Sequence, residues 1–188
     1  LVRVQVTWDP IPEHVKQEVY NLTAAAGRRD AVRILLPVPA AMAAHRDELR
    51  TDPGVEEMPL GMQKWKARGR DPDLLSRLAL VPHPDVVSIW LENPRTTEPE
   101  VLRIAARRPA ASACLLEILR SKRWASRSRL QEGLAQNPYT PTHVAAGLLH
   151  LLSTPLLEKV VYTGVLHPLV RETAQEIVDR RRGGDAKA

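Results

Sequence analysis

Eight cations and one carboxylate stand between Val101 and Leu130: Arg103, Arg107, Arg108, Arg120, Lys122, Arg123, Arg127 and Arg129 against Glu117, a local balance of +7 in a chain whose formal net charge is +5. Guanidinium and ammonium groups at that density, with so few acids among them, suit an anionic partner, whether an acidic protein surface, nucleic acid or a membrane face. On the helix expected over 98–108, Val101, Ile104 and Ala105 share one face, which leaves Arg103 and Arg107, four residues apart, on the opposite and exposed face. Arg120, Lys122 and Arg123 then crowd the next turn beside Trp124, with Arg127 one helical turn further on. A tryptophan among cations can stack on a base or anchor a protein interface. The residues expected to touch a partner are therefore Arg103, Arg107, Arg108, Arg120, Lys122, Arg123, Trp124 and Arg127, against the simpler expectation that a charge run is a solvated face.

The other reactive side chains fall into no catalytic pattern. His143 and His150 are seven residues apart on one expected helix, yet no carboxylate or third ligand lies near them, so they read as packing or surface histidines. His83 and His167 occupy matching turns, where a shared structural role explains both. Cys114 lies in the apolar stretch Ala113-Cys114-Leu115-Leu116 and reads as a buried, inert thiol. Glu56 and Glu57 are adjacent in an expected loop and point apart. The sequence has no glycine-rich phosphate loop, no His-Glu-x-x-His and no nucleophile elbow. The expectation is a non-enzymatic protein with no cofactor and no metal.

Composition says what must position these residues. The chain has 188 residues, no Phe and an aromatic share of 4%, so its core must be built from Leu, Val, Ile and Ala, and that mixture favours helices. The single cysteine cannot form an internal disulfide, which favours a reducing compartment. The strongest apolar run, Val144 to Leu152, is too short to span a bilayer, and no secretion-signal pattern is visible; the expected location is the cytoplasm.

Two turn phrases recur. Asn93-Pro94-Arg95-Thr96 returns as Asn137-Pro138-Tyr139-Thr140, 44 residues later, and His83-Pro84-Asp85-Val86 returns as His167-Pro168-Leu169-Val170, 84 residues later. A period of 42 to 44 residues satisfies both and predicts an all-α fold, an α-solenoid of stacked helical hairpins. Helices are expected near 74–80, 85–91, 98–108, 112–120, 126–135, 142–152, 156–162 and 169–181, each punctuated by Pro or an N-cap residue. Before them, alternation over 1–8 suggests a strand, 12–26 a helix, 31–36 a second strand and 40–50 a helix. The expected organisation is an N-terminal α or α/β extension (1–50), a connector (51–73), a repeat array (74–182) and a frayed tail (183–188). Trp65, in the connector's basic Met62 to Arg68 segment, is expected to seal the end of the array, with a partner-binding loop as the alternative reading of that segment.

The pattern Val-x-x-x-Leu-x-x-Asn-Pro-x-Thr followed by a helix, carried by 86–105 and 130–149, resembles the bacterial leucine-rich repeat variant proteins and the wider HEAT-like helical repeats. Val170 to Ile177 is similar to the second helix of a HEAT unit. The unit here is longer than the variant-type repeat, and Lys122-Arg123-Trp124-Ala125 stands where a third His-Pro is due. The resemblance implies a scaffold with a partner it does not name, and the basic run points to a protein partner with an acidic surface. Nucleic acid is the alternative partner, and because HEAT-like folds also host DNA alkylation repair glycosylases, an enzyme with Trp90-Leu91-Glu92 in a basic groove is a third.

Overall fold

Proline stands at or just before the start of most of the described helices, and a capping side chain opens some of them. In the computed structural model, which describes residues 12–28, 32–34, 38–49 and 51–185, the chain is all-α. The helices are α1 (Glu13–Ala25), α2 (Pro53–Glu56), α3 (Leu60–Ala67), α4 (Pro72–Leu78), α5 (Pro84–Glu92), α6 (Glu98–Ala106), α7 (Ser112–Arg120), α8 (Ser128–Ala135), α9 (Thr142–Leu149), α10 (Thr154–Val161) and α11 (Pro168–Asp185). Asp52 and Asp71 accept backbone N–H bonds at the starts of α2 and α4, each followed by a proline whose missing N–H costs nothing there. At α6 the Glu100 carboxylate accepts from both the N–H and the hydroxyl of Thr97. At α11 the His167 Nδ1 accepts the Leu169 N–H, so that histidine is a cap.

From α3 to α10 the helices have seven to nine residues each, too short to persist alone in water, so packing must hold them. α3 packs on α5, α5 on α7, α6 on α8 and α9 on α11. The core between them is aliphatic as composition requires, with Leu78, Leu91, Leu115, Ile118, Leu130, Leu134, Leu149 and Leu157 fully buried and Trp90 the one large aromatic among them. Each such leucine contributes about 2 kcal/mol on leaving water.

The Asn-Pro phrase has a tertiary role. After α5, the Asn93 side-chain amide donates to Ala67 O (2.8 Å) and Gly69 O (2.9 Å), the carbonyls at the end of α3. After α8, Asn137 donates to Ala105 O (2.8 Å) and Arg107 O (3.0 Å), the carbonyls at the end of α6. Each asparagine oxygen also accepts the N–H two residues on, from Arg95 and from Tyr139. A helix end leaves carbonyls without intrahelical partners, and a planar NH2 group that spans two of them satisfies both. Another 44 residues along stands Arg181, whose guanidinium donates to Leu152 O (2.8 Å) and His150 O (3.3 Å) at the end of α9. The same link thus occurs three times with two kinds of side chain. Three helices, α6, α7 and α8, fill the interval from Asn93 to Asn137, so the recurring interval holds three helices and not the expected hairpin of two.

Gly69 belongs to this link. A Cβ there would lie 2.8 Å from the Lys66 carbonyl oxygen, a backbone atom that cannot swing away. Gly69→Ala is expected to cost about 1–3 kcal/mol by overpacking, read as a lower denaturant midpoint at unchanged slope.

The N-terminal region departs from expectation. The strand expected over 1–8 lies outside the described residues. In the segment expected as a second strand, residues 32–34 are helical. Residues 40–45 are not helical, and only a 3-10 turn forms at Arg46–Glu48. Pro39 biases Val38 toward extended backbone, and the chain is held against the second Asn-Pro turn: Met42 N–H donates to Pro138 O, Thr142 N–H to Val38 O, and Ala40 forms an isolated bridge with Pro141. Arg33 reaches Thr173, Glu172 and Glu176 on α11. The expected connector is itself helical in α2 and α3, and α11 continues to Asp185 instead of fraying at 183. Residues 186–188 lie outside the described residues.

Candidate partner-binding edge

The structure divides the eight expected partner-binding residues into two groups. Trp124 is 3% exposed, with its indole N–H donating to Leu91 O (2.8 Å), so it cannot stack on a base. Arg123 lies over the Trp124 ring, 4.4 Å from its centroid, and donates to Asn93 O and Thr96 O, both at 2.9 Å. Arg107, expected on the exposed face of α6, is half-buried and donates to Leu80 O (2.8 Å); burial pulls its pKa below the ordinary guanidinium value. Arg108 donates to Gln136 O, Arg120 pairs with Glu117, and Arg127 lies 3.9 Å from Glu98. Arg103 and Lys122 are exposed and form no hydrogen bond or ion pair among the described residues. Much of the basic run therefore joins one helix end to another.

These links bring three turns together that are distant in sequence. Asn93 fastens the turn after α5 to the end of α3, while Arg123 and Trp124 fasten the turn after α7 to the end of α5. Arg68, Arg70, Arg95, Arg120, Lys122 and Arg123 consequently belong to adjoining turns along one edge, where Glu92 is exposed, Glu117 is paired with Arg120 and Asp71 is engaged as a cap. Three helix C-termini converge there, and part of the positive charge offsets their macrodipoles. Arg70, Arg95 and Lys122 have exposed side chains with no bond among the described residues, so their cationic ends face solvent.

Sequence reading offered Arg68 only within the alternative reading of the Met62 to Arg68 segment and missed Arg70 and Arg95, which lie outside the dense run. The available signal was the Asn-Pro phrase itself: a turn that reaches back to a preceding helix end carries its neighbour, Arg95, to that helix end.

The other candidate residues take structural places. His143 Nδ1 lies 3.2 Å from Val38 O and helps hold the N-terminal segment, and the His150 carbonyl receives Arg181. No group of three or more His, Cys, Asp or Glu side chains is placed to hold a metal ion among the described residues. Trp90 is fully buried and so lines no groove. No helix among the described residues is long and apolar enough to cross a membrane.

Cys114 is buried against Val81, Arg107 and Ala110, and desolvation pushes its thiol up to about 12, with Glu117 adding to the shift and Arg107 opposing it. A thiol-specific reagent at pH 8 is expected to leave the native protein unmodified and to titrate one thiol after denaturation. Because the unfolded thiol ionises near 9 and the folded one near 12, its contribution to stability is complete below pH 9 and falls away as the pH rises through that interval.

Comparison with family models, with curated proteins and with solved structures found no match for this chain.

Proposed function

We propose that the chain is a non-enzymatic α-solenoid scaffold of HEAT-like or leucine-rich-repeat-variant type, and that its basic edge binds a protein partner with an acidic surface. The observation that carries this reading is the thrice-repeated link at Asn93, Asn137 and Arg181, which reaches a preceding helix end at a constant spacing and, at Asn93, leaves the neighbouring Arg95 exposed. Solenoids of short helices stack their units into one extended core and present rows of equivalent turns to partners. The three-helix interval departs from a two-helix HEAT unit and accounts for the length of the period. Nucleic acid is less favoured as partner than the sequence suggests, since the one tryptophan inside the basic run is buried.

The test is affinity purification of the full chain at native level beside an Arg95→Glu/Lys122→Glu variant. A protein recovered in stoichiometric amount by the unaltered chain, and reduced about tenfold by a double reversal at rim positions, supports the reading. Absence of any reproducible protein partner, together with duplex DNA or RNA binding that weakens steeply with salt, replaces it with the nucleic-acid reading.

A further inference from the structure

Trp65 does not seal the core. It is 64% exposed, and Met62, three residues earlier on the same face of α3, is 45% exposed. The inner face of α3 closes the core without them: Ala67 is fully buried, and the buried Gln63 amide donates to Val55 O (3.0 Å) and Met58 O (2.9 Å). Gly61 and Gly69, four residues to either side of Trp65, add no side chain beside the ring, and nothing lies within 4 Å of where a Gly61 Cβ would be. A large aromatic held in the open on a well-formed helix is apolar surface that folding does not use.

Its surroundings are cationic. The Lys66 ammonium lies 5.1 Å from the Trp65 ring centroid, Arg68 follows one turn on, and the helix end leads directly into Arg70 and the basic edge. Lys64 is engaged by Asp85 across the α3–α5 contact, so it belongs to the packing.

We propose that the outer face of α3 is the anchor point of a docking site for an acidic peptide segment, one apolar side chain of which seats against Met62 and Trp65 while its carboxylates lie along Arg70, Arg95 and Lys122. This rests on the reading that the basic edge binds a protein. Charge complementarity selects the occupant: a second copy of this chain would bring a further +5 to a cationic surface. Exposed Glu92, within the row, opposes a continuous phosphate backbone, whereas a peptide can set a neutral or basic residue there. A thioether beside an indole offers adaptable contact to an aliphatic or aromatic anchor.

The test pans a display library of random twelve-residue peptides against the immobilised full chain, then measures the enriched peptides against Trp65→Ala and Arg95→Glu/Lys122→Glu, with circular dichroism as a folding control. The expected pool is rich in Asp and Glu around one apolar residue, and its binding falls about tenfold with either variant, a loss typical of an anchor residue. Acidic peptides that lose affinity for the charge-reversed edge but bind Trp65→Ala unchanged overturn this inference and leave the edge reading standing. No enrichment, a pool without acidic excess, or displacement of the pool by a twenty-residue oligothymidylate overturns both.

Discussion

Asn137→Asp is expected to lower the melting temperature by roughly 10 °C, although it changes the size of the side chain hardly at all. Asn137 is 1% exposed, and its NH2 group donates to Ala105 O and Arg107 O. Aspartate sets an oxygen where those two hydrogens were, so two carbonyls lose their donor and face either a buried negative charge or a protonated acid able to serve only one of them. Each buried polar group left unsatisfied costs about 1–3 kcal/mol, so a loss of about 3–4 kcal/mol follows. At about 2–4 °C per kcal/mol for a chain of this size, that gives the stated shift. Asn93→Asp should behave similarly, its environment being nearly as buried. Arg181→Ala should cost less, about 1 kcal/mol, because water can reach a half-buried site and take over its bonds. Thermal melts of the three variants give the ranking, and an Asn137→Asp protein that melts within a degree of the unaltered chain would show that the recurring link carries no stability.

Trp124→Ala is expected to destabilise the protein by about 4 kcal/mol, the usual consequence of emptying an aromatic site in a packed core. The indole is enclosed, one face is covered by Arg123, and its N–H satisfies Leu91 O at the end of α5. Trp124→Phe separates these contributions: it retains most of the apolar volume and loses the hydrogen bond, for about 1–2 kcal/mol. Chemical denaturation measures both. Trp65→Ala should leave stability within about 0.5 kcal/mol, as substitutions at exposed positions without buried partners do. The two tryptophans are thus expected to exchange the roles that their surroundings in the sequence suggest, Trp124 holding helices together and Trp65 facing a partner. A Trp124→Ala protein as stable as the unaltered chain would overturn that assignment.

Local chemistry explains why the helices were legible. Ser112–Arg120 has the bounds expected of it, and most other helices from α4 onward begin or end within about two residues of expectation, the uncertainty inherent in helix boundaries, because Pro, Asp and Thr act on backbone groups one to four residues away. The segment over 40–50 misled because its alanines satisfy helix propensity, while its backbone is engaged by the turn at 138–142, about a hundred residues later. Arg181 was illegible as the third member of the Asn93 and Asn137 series because the shared property is a donor reaching two carbonyls, which a guanidinium supplies as well as an amide.

The amino-acid sequence by itself determined the helical class, the aliphatic core and the recurrence of the Asn-Pro turn, since each follows from composition or from bonds within a few residues. Only the tertiary structure decided which cations remain exposed. Arg107, Arg108 and Arg123 donate to carbonyls 27 to 30 residues away, and those acceptors exist at the right distance only once helices two places apart have packed. A charge run therefore reads alike in sequence whether it faces solvent or joins helix ends; unpaired carbonyls at those ends, which need donors wherever water is excluded, are the physical reason this one does both.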